Sequence, residues 1–487
     1  MRIIIASPEA VPYIKTGGLA DVAGALLSEL RGELSGRGEQ VSLVLPLYTG
    51  IRERFPLHNT GRSFTLQMGD IPLTGLVWAS DKSKVPAAYF IECEELFGRP
   101  ELYGTARGDY HDNALRFAFF SKAVLETCLI FNIRPDIIHC NDWQTGLIPL
   151  YLKDFYRSRP NFRATATVMT IHNLGYQGLF NKLDLRYTGL GWEYFTVDRL
   201  EFHDMLNYLK AGLVYADLIN TVSLTYAREI LTAEHGFGLD GLLRSRKAVL
   251  YGITNGIDYA QFDPSRDRFL PACYSRNNLD NKAVCRKVLR QQAGLQSGER
   301  PVIGFVSRFA AQKGLDLVAG AIPALVRMGV DLVILGKGEK YYHELLTGLA
   351  GQYPGRVSVS LGFREDYARL IYAGADFFLM PSRYEPCGLG QLIALRYGTI
   401  PIARRTGGLA DTVLDYDPRT WHGTGFLFED YSVDALLAAV RRALSVYRSP
   451  ERFPSLLQDA MAGDFSWERA AGRYLLLYRK ALLRLTA

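Results

Sequence analysis

Nine short, largely apolar runs constrain this chain more than any other feature. They lie at 2–6 (RIIIA), 41–45 (VSLVL), 136–140 (DIIHC), 166–171 (ATVMTI), 218–222 (LINTV), 302–307 (VIGFVS), 331–335 (DLVIL), 376–380 (DFFLM) and 400–403 (IPIA). Each is the length of a strand and too apolar for a solvated face, so each reads as a strand buried on both sides. Between many of them lie stretches with helical spacing, such as 113–131 and 315–328. Strands alternating with helices specify parallel sheets covered on both faces. With 487 residues the chain is too long for one compact core and suits two such α/β domains.

Charge and cysteine usage narrow the function classes. The net charge of +6 is a small surplus of 56 basic over 50 acidic residues, spread along the chain. A nucleic-acid protein of this size carries a denser basic stripe, so the surplus indicates no more than a mild preference for anionic ligands. The start of the chain has one Arg and a four-residue apolar run, with no signal-peptide pattern, and no run reaches membrane-spanning length. The six cysteines form no CxxC pair, and no HxxxH or HxH occurs. Neither a disulfide framework nor a metal site is expected, and a cytoplasmic, reducing compartment fits best.

One internal repeat stands out. Thr16-Gly17-Gly18-Leu19-Ala20-Asp21 recurs letter for letter as Thr406-Gly407-Gly408-Leu409-Ala410-Asp411. Each copy follows a predicted strand, has a basic neighbour (Lys15; Arg404 and Arg405), and precedes a helix-compatible stretch. Gly-Gly permits a tight turn, and with cations beside both copies the reading favoured here is anion binding at two helix N-termini. The crossover between the halves falls near Tyr251–Asp258, followed by a polar stretch from Phe262 to Asn281 that lacks strand periodicity.

Four clusters carry possible chemistry. Lys15 beside Gly17 and Gly18 can reach a phosphate, although neither a Walker loop nor GxGxxG is present. Arg308 and Lys313 lie at a strand-to-helix turn, which suits a diphosphate leaving group. Glu385, followed by Cys387, Gly388 and Gly390, places a carboxylate near glycines that expose backbone; Cys387 has no evident base to make it a nucleophile. Asp142 and His172 each follow a strand, where α/β enzymes place site residues, and Trp143 or Tyr176 can stack on a sugar.

Taken in order, KTGGLADV (15–22), NDWQ (141–144), IHNLGYQG (171–178), NGID (255–258), SRFAAQKGLDL (307–317), IYAGADFFLMPSRYEPCGLGQL (371–392) and YGTIPIARRTGGLADTV (397–413) resemble the bacterial glycogen synthases and the plant starch synthases from end to end. The resemblance implies a GT-B fold, two Rossmann-like domains facing each other across a deep cleft. The domains expected are 1–250 for the glucan acceptor and 251–465 for the nucleotide sugar, with the 466–487 helix packing back onto the first. It implies retaining transfer of glucose from ADP-glucose to the non-reducing end of glycogen or another α-1,4-glucan, with no metal or other cofactor, no nucleic acid and no membrane. By the same resemblance Arg308 and Lys313 bind the diphosphate and Lys15 reaches it, with Gly18 allowing close approach. Asp142, His172 and Asn255 orient the glucose, and Glu385 stabilises the oxocarbenium-like centre. Cys387, Gly388 and Leu389 present backbone to the donor, and Phe363 stacks on the nucleobase. Two positions depart from the pattern: Gly390 stands where Thr or Asn is common, and Ile393 where many retaining GT-B enzymes carry a second Glu. Two other readings are a GT-B transferase with a small sugar acceptor and a non-catalytic glucan-binding protein.

Overall fold

The computed structural model describes residues 1–34, 39–83, 86–105, 108–362 and 364–486. The chain folds as two compact units. The first comprises Met1–Val222, Ala227–Ile253 and Ala470–Ala487, and the second Ser223–Tyr226 and Thr254–Arg469.

The first unit is built on β1 (Arg2–Ala6), β2 (Gln40–Pro46), β3 (His58–Met68), β4 (Ile71–Ala79), β5 (Ala88–Glu92), β6 (Ile137–Asn141), β7 (Ala166–Ile171), β8 (Leu218–Thr221) and β9 (Leu250–Gly252). They form one sheet in the order β9-β8-β7-β6-β1-β2-β5-β4-β3. Neighbours from β9 to β5 are parallel, whereas β5-β4 and β4-β3 are antiparallel. The β3–β4 hairpin is absent from the sequence expectation for a physical reason. Its buried residues alternate with exposed ones (Phe64, Leu66 and Met68 inward), the period of a sheet with one wet face rather than of a doubly covered strand.

The second unit holds β10 (Val302–Phe309), β11 (Asp331–Gly338), β12 (Val357–Leu361), β13 (Phe377–Met380), β14 (Ile400–Arg404) and β15 (Phe426–Phe428), all parallel, in the order β12-β11-β10-β13-β14-β15. The nine runs read as strands from sequence are all strands, with ends shifted by up to three residues.

Both sheets reverse direction of growth once. In the second unit the chain builds outward from β10 to β12, then returns to lay β13 on the other side of β10. In the first it does so between β1 and β6. Loops leaving two such strands diverge at their carboxyl ends and open a crevice there. In the second unit the amino ends are tied by buried ion pairs instead. Asp331, fully buried, receives Arg290 at 2.7 Å and Arg300 at 3.1 Å, and Asp376 receives Arg286 at 3.2 Å.

The helices that frame these crevices are α1 (Gly18–Glu33), α2 (Asn113–Ile130), α3 (Leu315–Arg327), α4 (Gly390–Arg396), α5 (Gly407–Thr412) and the C-terminal α6 (Trp467–Thr486). In α1 the buried residues Leu19, Ala20, Val22, Ala23, Leu26, Leu27 and Leu30 form the stripe of a helix with one wet face. Among the described residues no helix is long and apolar enough to cross a membrane.

Candidate active site

In the second unit the crevice between β10 and β13 brings together two of the sequence clusters. The turn after β10 ends at Gly314, whose φ of +71° and close approach to the Pro381 carbonyl leave no room for a Cβ, which would lie 2.0 Å from that oxygen. This pins the turn after β10 to the loop after β13, an arrangement reinforced by Arg383 N–H to the Gln312 carbonyl (2.9 Å) and by the Gln312 amide to the Tyr384 carbonyl (3.1 Å). Lys313 Nζ consequently donates to both oxygens of Glu385, at 2.9 and 2.7 Å, and the Ser382 hydroxyl donates to the same carboxylate at 2.9 Å. Glu385 is buried, so a carboxylate is held there only by being paired and hydrogen-bonded. Arg308, near the end of β10, is exposed. Ser382, Gln312 and Gln391 are missed by sequence reasoning; the spacing Ser-x-x-Glu at 382–385 was the available signal.

The backbone beyond Glu385 is shaped by its neighbours. Gly388 has φ of +75°, and Gln391, fully buried at the start of α4, donates to the carbonyls of Cys387 and Gly388, both at 2.9 Å. Leu389 precedes α4 and is half-buried. Burial pushes the Cys387 thiol up to about 12, so no thiolate forms near neutral pH and the residue serves through its backbone. A Cβ on Gly390 would make a tight 3.0 Å contact with the Phe378 ring, itself packed against Tyr372. Asn255 is buried in the same unit, and its Oδ1 has no hydrogen-bond partner, which leaves an acceptor for a ligand hydroxyl. Phe363 lies outside the described residues.

In the first unit the crevice between β1 and β6 gathers Glu9, Asp142 and His172. Asp142 has φ of +55°, uncommon for any residue but Gly. Its carboxyl accepts the His172 N–H at 2.7 Å. Burial outweighs that bond and raises the carboxyl to about 8, so it carries its proton at neutral pH and can donate as well as accept. Burial also holds His172 neutral, at about 3. Its Nε2 donates to Asn141 Oδ1 at 2.9 Å, because the Asn141 amide nitrogen already donates to the Ala6 carbonyl, and this leaves Nδ1 as an acceptor. A protonated carboxyl and a neutral imidazole are suited to reading sugar hydroxyls. Trp143 is not a sugar platform: its ring packs on Phe117 at 4.9 Å and Phe180 at 5.6 Å, with Gly178 against its face. Tyr176 is half exposed.

The repeated loops depart from the expectation of two anion sites. In the first copy the Thr16 and Gly17 amides and the Thr16 hydroxyl are taken by the buried carboxyl of Glu9, an internal ligand that also receives Tyr103 OH at 3.3 Å. Lys15 is exposed and pairs with Asp21 at 2.7 Å, and Gly18 opens α1. In the second copy the glycines serve close packing. A Cβ on Gly407 would lie 1.9 Å from the Glu385 carbonyl and one on Gly408 2.0 Å from that of Cys387, and the Gly408 N–H donates to the Glu385 carbonyl at 3.0 Å. Arg404 is spent on the carbonyls of Glu429 and Arg383, and Arg405 on the Glu429 carboxylate.

Comparison with known proteins agrees with this build. Residues 2–245 match the family model of the starch synthase catalytic domain, and residues 288–455 that of glycosyl transferases group 1. The chain is 47% identical over 484 residues to glycogen synthase of Syntrophotalea carbinolica, covering 99% of each chain, and 46% identical over 494 residues to that of Thermodesulfovibrio yellowstonii, covering 98% of this chain and 97% of the relative. Among solved structures, the catalytic domain of starch synthase IV from Arabidopsis thaliana, bound to ADP and acarbose, superposes with a TM-score of 0.89 at 33% identity over 99% of both chains. A sucrose-phosphate synthase from Thermosynechococcus elongatus shares the fold at a TM-score of 0.62 and 19% identity, again over 99% of both chains. With two α/β units of the GT-B type, and this likeness over nearly its whole length, the chain belongs to the glycogen synthase family of glycosyltransferases.

Proposed function

We propose that the chain transfers glucose from ADP-glucose to the non-reducing end of an α-1,4-glucan with retention at the anomeric carbon. The observation that carries this reading is the Lys313–Glu385 pair at the switch point of the second sheet. A glycosyl transfer from a diphosphate develops positive charge at the sugar and negative charge on the leaving group, and this pair sets one fixed charge of each sign side by side. Lys313 and Arg308 serve the diphosphate and Glu385 the oxocarbenium-like centre. Lys15 and Gly18 are assigned to the donor phosphates by the motif they share with the family. Asn255, Asp142 and His172 read hydroxyls of the glucose, while Cys387, Gly388 and Leu389 offer backbone. Phe363 is assigned to the nucleobase on the motif alone. Residues 1–250 with the C-terminal helix take the glucan and residues 251–465 the nucleotide sugar.

Retention without an enzyme nucleophile requires the acceptor hydroxyl to attack on the face the phosphate leaves, with a phosphate oxygen as the base. Positioning and charge then supply most of the acceleration. ADP as the nucleotide, and a glucan as acceptor, are supported by what starch synthase IV holds in its structure. Work in the cytoplasm is supported by six free cysteines, five of them buried. The test is release of nucleotide diphosphate from ADP-glucose and from UDP-glucose with glycogen present and a chelator added. Release from ADP-glucose with a ladder of extended glucans is the expected result. Release only from UDP-glucose overturns the donor assignment, and a single disaccharide product overturns the acceptor assignment.

A further inference from the structure

A chain of polar side chains runs through the interior of the first unit. Tyr478 OH, on α6, lies 2.9 Å from His139 Nδ1, and His139 Nε2 lies 2.7 Å from the Thr170 hydroxyl. Asn220 Nδ2 donates to that hydroxyl at 3.3 Å and to Tyr474 OH, one turn back on α6, at 3.2 Å. All five residues are fully buried, and Asn220 Oδ1 has no partner at all. An apolar core would be simpler to build, since a buried polar network is costly wherever it is incompletely satisfied. Its retention calls for a reason.

The reason lies two residues further along each strand. His139 sits on β6 and Thr170 on β7, and two residues past them stand Asn141 and His172, joined by the 2.9 Å bond that fixes the His172 ring. The Thr170 carbonyl accepts the Asp142 N–H at 3.0 Å, at the residue whose φ is +55°. A non-glycine residue in that region persists only where its surroundings over-determine it. Burial keeps His139 neutral, at about 3, so one ring nitrogen donates and the other accepts, and the two hydroxyls beside it fix the ring between them.

We propose that Tyr478 and Tyr474 are positioning residues for the transfer: through His139, Thr170 and Asn220 they hold the ends of β6 and β7 so that Asp142 and His172 present their polar atoms to the sugar. This rests on the assignment of Asp142 and His172 to the donor glucose. The polar chain is thus a brace between the last helix and the site, and its loss misaligns both side chains together.

The test uses the full-length protein, with Tyr478→Phe and Tyr474→Phe assayed for glucan extension beside Leu477→Ala, a buried apolar residue on the same helix, as a control for simple destabilisation. Tyr478→Phe is expected to lower kcat by about tenfold with donor KM within about twofold, because small displacements of positioned groups act on the chemical step. Leu477→Ala, with an equal or larger loss of Tm, leaves kcat within about twofold. Imidazole 15N resonances add a signature that packing alone does not move: those of both His139 and His172 shift in Tyr478→Phe and neither shifts in Leu477→Ala. Equal kcat in Tyr478→Phe and Leu477→Ala, or an unmoved His172 resonance, overturns the proposal. If Tyr478→Phe does not fold, Tyr474→Phe decides it, since that variant removes the hydrogen bond to Asn220 and its kcat falls or stays by the same argument. Asp142→Asn and His172→Ala separate the two levels: normal turnover in both overturns the assignment of the sugar contacts, whereas their loss beside a normal Tyr478→Phe overturns only the brace.

Discussion

The two crevices of this molecule are made by the same topology and contain the same six letters, yet use them in opposite ways. In the first unit Thr16-Gly17-Gly18 follows β1, a strand of the switch point itself, and its amides close around the carboxyl of Glu9. In the second, Thr406-Gly407-Gly408 follows β14, one strand away from the switch, and its glycines press against the backbone of Glu385 and Cys387. The helix that follows is 16 residues long in one and six in the other. The repeat therefore does not encode two copies of a ligand site. What it encodes is backbone without side chains, which one unit uses to wrap a carboxyl and the other to support a catalytic loop from behind. Each crevice ends up with a buried carboxyl bonded to its own loop, Glu9 (with Asp142 nearby) in the first and Glu385 in the second.

Neutralising those two carboxyls is the strongest way to break the comparison. Glu385→Gln keeps the shape and an acceptor for Ser382 but removes the charge beside Lys313, and turnover is expected to fall roughly a thousandfold. Lys313→Ala is expected to fall comparably. Glu9→Gln is expected to lose no more than about tenfold in turnover while lowering Tm, because it weakens the bonds to the Thr16 and Gly17 amides without touching the proposed charge pair. Steady-state kinetics and thermal denaturation on the three variants decide it. Equal losses of turnover in Glu9→Gln and Glu385→Gln would make both carboxyls chemical.

Next in size is a glycine swap between the copies. Gly408→Ala forces a methyl to within 2.0 Å of the Cys387 carbonyl, so the Glu385–Gly388 loop must shift, and at least about a hundredfold loss of turnover is expected. Gly17→Ala meets nothing within 4 Å, and its φ of −151° is extended backbone that any residue adopts, so its Tm is expected to stay unchanged. A loss of turnover in Gly17→Ala at unchanged Tm sharpens the comparison, because it marks the first loop as one a ligand approaches. An unharmed Gly408→Ala removes the supporting role given to the second loop.

The first unit also carries a pH response at its crevice. The Asp142 carboxyl is raised by burial to about 8 in the folded chain, against an unfolded value of 3.8. The folded state then holds a proton that the unfolded state has released. Its contribution to stability is complete below the unfolded value and drains away as pH rises to about 8, at up to about 1.4 kcal/mol per pH unit for one proton. Asp142→Asn removes this dependence, so the gap in Tm between variant and wild type should widen in favour of the variant from pH 5 to 8. Parallel curves would show that Asp142 is ionised throughout.

The sequence was most legible where one physical cause acts alone. Buried parallel strands need continuous apolar runs, and all nine runs so read are strands; β5, a short buried run outside those nine, and the β3–β4 hairpin, half wet and alternating, are missed by that reading. Lys313 and Glu385 were readable as strand-end residues of the right charge, but their pairing depends on Gly314 packing against Pro381, a contact across 67 positions of chain. Glu9 was hidden because a Glu near a strand end is usually solvated, and only the folded loop shows it buried and bonded to amides. Trp143 misled for the converse reason: its neighbours in sequence are polar, while its neighbours in space are Phe117 and Phe180.

The smallest effect separates what Lys15 does for the fold from what it does for a ligand. Its ammonium pairs with Asp21 at 2.7 Å, but the Lys15 side chain is 47% exposed, and such a pair is screened by water and salt. Lys15→Met is therefore expected to cost less than about 1 kcal/mol of stability, a loss that shrinks further in high salt. The corresponding cations of the second copy are tied to carbonyls and to Glu429, so Arg404→Met should cost more stability than Lys15→Met. If Lys15 serves the donor phosphates, Lys15→Met raises the KM for ADP-glucose while Tm hardly moves. A Tm loss in Lys15→Met as large as in Arg404→Met, with donor KM unchanged, would mean that both basic neighbours of the repeat are structural and that the first loop owes its lysine to Asp21 alone.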